Sequence, residues 1–435
     1  MQKFSILGTG MAAFGAAYAL AAEGAAAVCY DKNAYYGGHT ATFAHPTGFV
    51  FDDGPHLSFT KNERIQALLA DSVGQQYEVL NARISNYWHG YWIAHPAQCN
   101  LYGLPAELIT QIICDFVEVH TTDARTIRHY ADWLEVAYGS TFARTFPMVY
   151  GLKYHTTGAE NMSTDWLGPR MYRPDLAEVM RGALSPTPHT AMHYVTNFRY
   201  PTHGGFGAYL RPFAERANLR LCHRLVGLDA RRRELRFDTG VVARYEQVIS
   251  SMPLPDLVNC IDDVPVEVCE AARRLAFTNV VLVNLGIDRA DLSRSHILYV
   301  YDPDIIFPRV NFPHMLSPNN VPPGRGSIQV EVYFSDKYRP LDGAPETLIE
   351  PVLDGLRKIG VLREDDAVLF SEARLVRYAN VIFDLERAAA LATVHAFLDD
   401  IGVHYCGRYG NWDHSWTDEA FESGERAARV ALGAN

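Results

Sequence analysis

The residues best suited to chemistry stand at the front of the chain. Gly8-Thr9-Gly10-Met11-Ala12-Ala13 reads Gly-x-Gly-x-x-Ala, and Asp31 follows roughly twenty residues on. In such a turn Gly8 allows the tight bend, Gly10 lets the backbone approach a pyrophosphate, and Ala13 keeps helix and strand close. Free N–H groups and the helix dipole bind the phosphates, while Asp31 accepts from a ribose hydroxyl. The chemistry implied is the binding of a dinucleotide. A second oddity is Arg309 within Ile306-Phe307-Pro308-Arg309-Val310-Asn311-Phe312, because a charge in apolar surroundings needs an acid or a substrate as partner.

The elements that must position this turn are readable around it. Phe4-Ser5-Ile6-Leu7 is a short buried strand, Ala16 to Ala22 a helix, and Ala26-Ala27-Val28-Cys29-Tyr30 a second strand ending at Asp31. Together they make a βαβ unit. After Asp31 come Lys32 and then Gly37-Gly38-His39-Thr40, followed by the strand-like Phe49-Val50-Phe51-Asp52 and by Asp53-Gly54-Pro55-His56. A plain nicotinamide domain has no need of a Gly-Gly loop there. Nor does the chain hold a second Gly-x-Gly-x-x-Gly for a pyridine nucleotide.

Bulk properties narrow the class. The 435 residues exceed one simple core and suggest two or three domains. A formal net charge of -11 leaves no global basic field for nucleic acid or an anionic membrane, and Arg231-Arg232-Arg233 reads as a solvated turn. Seven scattered cysteines without a C-x-x-C pair argue against a disulfide framework and a structural zinc site, so we expect reduced thiols, no metal and a cytoplasmic protein. Glycines and Glu23 interrupt the apolar run from 4 to 29, and no transmembrane span is expected.

A Gly-Gly pair shortly after the ribose acid, then a strand ending in Asp-x-Gly-Pro-His, resembles the two-domain FAD enzymes. These include flavin amine oxidases, protoporphyrinogen oxidase, phytoene desaturases and UDP-galactopyranose mutase. The resemblance spans nearly the whole chain. His223-Arg224-Leu225-Val226 resembles the strand whose backbone meets the adenine, Gln247 to Pro253 the strand returning to the FAD domain, and Val403 to Gly410 the closing strand and turn. The implied fold is α/β: a discontinuous Rossmann-like FAD-binding domain of glutathione-reductase type with an inserted α+β substrate domain. We place the FAD domain at 1–90, 201–255 and 385–435, a helical part at 91–200 and a sheet part at 256–384. Leu108 to Glu118 and Ala124 to Val136 have helical periodicity, Asn279 to Leu285 and Ser327 to Tyr333 read as strands, and Phe312 to Gly326 as a loop.

The resemblance implies noncovalent FAD, contacted by Gly8, Gly10, Met11, Ala12, Asp31, Lys32, Gly38, His39, Thr40, Gly54, Pro55, His56, Val226, Gly407, Arg408, Trp416, Thr417 and Asp418. The helix from Thr417 to Ala428 would point its N-terminus at the pyrimidine end of the flavin. Asp418 fits a helix cap at least as well as a ligand contact. His56 is the catalytic candidate, an imidazole able to hydrogen-bond ring or substrate, or else a packed histidine with no proton-transfer role. On the substrate side stand Arg170, Arg173, Tyr200, Arg309 and Trp412. The two nearby arginines could hold an anionic group or form a solvated face.

Two activities fit. One is oxidation of an amine or a C–C bond in a small molecule by an FAD-dependent oxidoreductase; the other is non-redox isomerisation of a nucleotide sugar. Gly54-Pro55-His56-Leu57-Ser58-Phe59-Thr60 is close to the mutase version of that loop. Against the mutase, the tyrosine it carries seven residues past the closing glycine is His414 here. The tryptophan it places two residues after the lysine matching Lys153 is His155. Both differences remove expected substrate contacts, which favours the oxidoreductase. The sequence does not set the electron acceptor or the oligomeric state.

Overall fold

The computed structural model describes residues 4–121, 126–168, 171–189 and 196–433. The opening strand Phe4–Leu7 is fully buried and sits at the centre of a five-stranded parallel sheet. Across that sheet the order is Val403–Tyr405, Gln247–Ser250, Phe4–Leu7, Ala27–Tyr30, Asn218–Arg220. Strands from the beginning, middle and end of the chain are therefore neighbours, the arrangement of a discontinuous Rossmann-like domain. The opening helix Met11–Ala22 crosses the closing helix Thr417–Ala431 at very short range. A Cβ added to Gly424 would lie 1.8 Å from the Ala12 carbonyl oxygen, and one on Gly15 would lie 2.0 Å from that of Phe421. No side chain fits at either position, so the two glycines set the helix separation.

The second layer is a seven-stranded sheet in the order Val368–Val381, Phe277–Ile287, Gly326–Phe334, Arg309–Asn311, Ile297–Val300, Ile84–Trp88, Tyr91–Ala94. Its second strand, Phe-Thr-Asn-Val-Val-Leu-Val-Asn-Leu-Gly-Ile, is buried on both faces, which suits its β-branched content. The period of two then sorts its side chains. Val281, Val283 and Leu285 join Val330 and Val332 against the amphipathic helix Ile349–Lys358, forming a core. Val280 and Leu282 turn the other way with Tyr333 and Val376, towards Tyr154. One face of the sheet is core and the other looks across at the helical segment.

That segment comprises Ala106–Thr121, Tyr130–Tyr138, Ser140–Thr145, Pro147–His155 and Leu176–Leu184 around a core of Leu134, Phe142 and Phe146. A boundary at residue 90 does not match the pairing, because the hairpin Ile84–Trp88 and Tyr91–Ala94 lies wholly in the large sheet. Among the described residues no helix is long and apolar enough to cross a membrane.

Candidate functional site

The phosphate turn is built by two glycine loops lying on each other. Gly8 has φ +112°, and its N–H donates to the Tyr30 carbonyl at 2.7 Å. The Gly37 N–H donates to the Thr9 carbonyl at 2.9 Å, and a Cβ on Gly38 would stand 3.4 Å from the Gly10 Cα. Thr40 pins this second loop through its hydroxyl, which donates to the Gly37 carbonyl at 2.7 Å. Gly10 is informative because the protein does not require it. Its backbone is ordinary extended (φ −84°, ψ −173°), and an added Cβ would meet nothing closer than the Gly37 carbonyl oxygen at 3.7 Å. The missing side chain leaves space at the helix N-terminus, beside the buried Met11 and Ala12, which fits the approach of a pyrophosphate.

Asp31 accepts from the Thr9 hydroxyl at 2.7 Å and from the Asn33 N–H at 2.9 Å, which orients its carboxylate at the strand end; Lys32 beside it is exposed. Val226 is half exposed at the one position that the pairing of its strand with Glu234–Phe237 skips. That leaves its backbone available to an adenine edge. At the other end, Gly407 (φ +74°) passes close over Ala12 and donates its N–H to Ser423 at 3.1 Å. Trp416 packs edge-on against Phe59 at 4.8 Å and caps the closing helix through Glu419, which accepts from the Trp416 N–H at 2.7 Å; Thr417 and Asp418 follow in the first turn. The cap is therefore Glu419, and Asp418 does not fill that role.

Three charged or titratable groups converge above this. Gly54 (φ +99°) turns the chain so that His56 bonds through Nδ1 to the Gly54 carbonyl at 2.9 Å, with Pro55 between them. Because a carbonyl only accepts, Nδ1 carries the proton and Nε2 presents a lone pair. Burial pulls the His56 pKa down to about 4, and the cations Arg408 and Arg309 press the same way. His39 is the mirror case: its Nε2 donates to the Arg377 carbonyl at 2.9 Å, and burial likewise lowers its pKa. Both imidazoles are neutral at pH 7. Arg408 donates to the Ser415 carbonyl at 2.9 and 3.1 Å and to Asn380 at 3.4 Å.

Arg309 has the partner its surroundings demand. Glu331 accepts from its Nε at 2.7 Å and its Nη2 at 2.5 Å, and also from the Asn311 amide at 2.6 Å and the Tyr333 hydroxyl. The guanidinium lies over the Tyr154 ring at 5.6 Å. Glu331 is 1 % exposed, whereas Arg309 retains 19 % although protein encloses it, as expected for a residue lining an internal cleft. Tyr150 and Tyr299 complete the enclosure. Sequence reasoning missed Glu331, Tyr333 and Asn311. The signal was present: a glutamate inside the buried strand Gly326–Phe334 calls for a cation as strongly as Arg309 calls for an acid.

Other expected substrate contacts are not brought here. Tyr200 is 1 % exposed, because pairing of Asn197–Pro201 with Tyr77–Asn81 turns it inward, where its hydroxyl donates to Asp52 at 2.6 Å. Trp412 is fully buried against Phe277 and Tyr378 and belongs to a core. Arg173 is exposed on the helical segment beside His120 and Val136, away from the cluster, and Arg170 lies outside the described residues. A separate hollow of about 420 Å³ lines the opposite end of the parallel sheet, near Gln247 and His404. Among the described residues no group of three or more His, Cys, Asp or Glu side chains could hold a metal ion.

Comparison with known proteins places this geometry in context. The chain superimposes over its whole length on reduced UDP-galactopyranose mutase with a TM-score of 0.93, at 23% identity and covering 96% of that chain. A putative protoporphyrinogen oxidase from Exiguobacterium sp. 255-15 gives 0.76 at 16% identity, with 99% of both chains covered. A redesigned putrescine oxidase gives 0.67 at 14%, again with 99% of both chains covered. At these identities the likeness concerns the fold. The sequence model of an NAD(P)-binding Rossmann-like domain matches residues 6–72. That of the flavin containing amine oxidoreductases matches residues 164–432, more than half of the chain, and the chain therefore belongs to the flavin-containing amine oxidoreductase family.

Proposed function

We propose that the chain is an FAD-dependent oxidoreductase that oxidises a C–N or C–C bond of a small molecule carrying no diphosphate. The observation behind this is the state of Arg309. Its charge is committed to Glu331 in a bidentate pair within a ring of tyrosines, so the cleft offers aromatic faces and hydroxyls in place of a free cation. The substitution of His155 and His414 for the aromatic contacts of the mutases points the same way.

FAD, when bound, supplies a two-electron acceptor. The protein's part is orientation and electrostatics. Gly8, Gly10 and Gly38 leave room for the pyrophosphate, Asp31 and Val226 would meet ribose and adenine, and Gly407, Arg408 and Thr417 border the other end. His56, held far below neutral pH, is a poor base; it presents the Nε2 lone pair to a substrate N–H or O–H and so orients the bond to be broken. Arg408 and the N-terminus of the closing helix would border the flavin ring and would supply positive potential there.

The second reading, a nucleotide-sugar mutase, is favoured by the whole-chain superposition at TM-score 0.93. One experiment separates the two. Under anaerobic conditions, small amines and partly saturated ring compounds should bleach the flavin band, and UDP-hexoses should give no isomer after dithionite reduction. Turnover of a UDP-hexose only after reduction would overturn the oxidoreductase. Acid precipitation should leave the yellow colour in the supernatant; a yellow pellet would show a covalent flavin.

A further inference from the structure

Lys153, in the last turn of the helix Pro147–His155, is 6 % exposed and has no carboxylate bonded to it. Its Nζ instead faces four backbone carbonyls, those of Val300 at 2.7 Å, Asp302 at 3.0 Å, Phe307 at 3.1 Å and Ile305 at 3.3 Å. An ammonium has three protons. Four acceptors drawn from one short loop onto a single point are therefore gathered by charge as much as by directed hydrogen bonds. Rings of backbone carbonyls of this kind replace the hydration shell of a monovalent cation.

The loop that closes the ring ends two residues before Arg309. The residue after Lys153 is Tyr154, whose ring lies under the Arg309 guanidinium. The Lys153 carbonyl accepts from Arg339 at 2.7 Å, and Arg339 also donates to the Tyr333 carbonyl at 2.8 Å. Thus one turn of helix grips both ends of the Arg309 cluster. Burial pulls the Lys153 pKa down to about 7 while the carboxylates of Asp302 and Asp304 pull it up. Four carbonyl acceptors are matched better by the three protons of an ammonium than by the two protons and lone pair of an amine, which favours the protonated form.

We propose that Lys153 is a positioning residue for Arg309: a tethered cation that occupies a ring of the 300–307 loop fit for a bare monovalent cation, and thereby fixes the start of the strand Arg309–Asn311. The proposal rests on Arg309 being part of the site, and Arg309→Met, which leaves the ring intact, tests that reading by itself.

The test uses the purified full chain with Lys153→Ala, which empties the ring, and Lys153→Met, which fills it with an apolar stem. Two quantities are read in potassium, ammonium, sodium and choline chloride at equal ionic strength. They are the thermal midpoint and the rate of dicarbonyl modification at Arg309 mapped by mass spectrometry. For Lys153→Ala, potassium and ammonium should raise the midpoint by a few degrees over choline and return Arg309 modification, severalfold faster than in the parent, to the parent rate. Lys153→Met and the parent should not discriminate among the salts. Should Lys153→Ala fold in potassium or ammonium but not in choline, the proposal is equally supported; failure to fold in all four salts overturns it. The proposal is overturned if no variant discriminates among cations. It is equally overturned if potassium restores the midpoint without restoring protection of Arg309.

Discussion

Removing the charge of Glu331 tests the account of the cleft most directly. Four donors converge on that carboxylate: two from Arg309 and one each from Asn311 and Tyr333. Glu331→Gln keeps the shape but turns one oxygen into an amide that cannot accept, and it leaves the guanidinium without a counter-charge. Breaking a buried pair by removing one partner costs about 3–5 kcal/mol. Arg309 retains 19 % of its side chain accessible, so water offsets part of this, and we expect about 3 kcal/mol, roughly a hundredfold in the folding equilibrium. Arg309→Met should cost a similar amount, and the double variant should recover most of either loss, because a buried pair replaced as a unit is often neutral. Urea unfolding followed by tryptophan fluorescence measures all three. The same variant frees the arginine fork, so pyrophosphate should bind at least about tenfold more tightly to Glu331→Gln than to the parent by calorimetry. A loss below about 1 kcal/mol with no gain in anion binding would refute the claim that Arg309 is neutralised.

Gly10→Ala should leave the unfolding midpoint nearly unchanged, since its Cβ meets protein only at 3.7 Å, yet weaken FAD binding by about a hundredfold on titration. Gly424→Ala should do the opposite, losing stability by about 3 kcal/mol or failing to fold, because its Cβ would overlap the Ala12 carbonyl oxygen; unfolding in urea reads this. His155 is 5 % exposed with its pKa pulled by burial from 6.5 to about 3. Between those values the unfolded chain binds the extra proton, so stability falls as pH drops from about 6.5 towards 3, by on the order of 3–5 kcal/mol at the limit. His155→Phe should flatten that part of the stability profile, measured as midpoint against pH.

The phosphate turn was legible because its requirements are local. Gly8, Gly10 and Asp31 fall within one βαβ unit whose strands and helix announce themselves by apolar runs and glycine. The cleft was less so. Arg309 was marked by its apolar neighbours, but its partner lies on the adjacent strand, reached only through the register that places Arg309 opposite Glu331. Periodicity gives the face of a strand and not its neighbour. Tyr200 and Trp412 failed for a related reason: an aromatic beside a glycine loop looks the same in sequence whether it fills a core or lines a cleft. The hairpin of Ile84 to Ala94 was not read from the sequence, because strand pairing over two hundred residues, to Ile297–Val300, leaves no local trace.

The strand Val368–Val381 breaks its register near its end, where Tyr378 takes φ +59° between paired positions Val376 and Asn380. Over those few residues it receives His39 at the Arg377 carbonyl, Tyr409 at the Ala379 carbonyl and Arg408 at the Asn380 side chain. The kink thus works as a shared hinge pin: the second glycine loop, through His39, and the closing turn, through Arg408 and Tyr409, are fastened to the same four residues. Shortening or lengthening the chain by a single residue there would unseat both at once, whereas the same change in the loop at Gly360 would disturb neither.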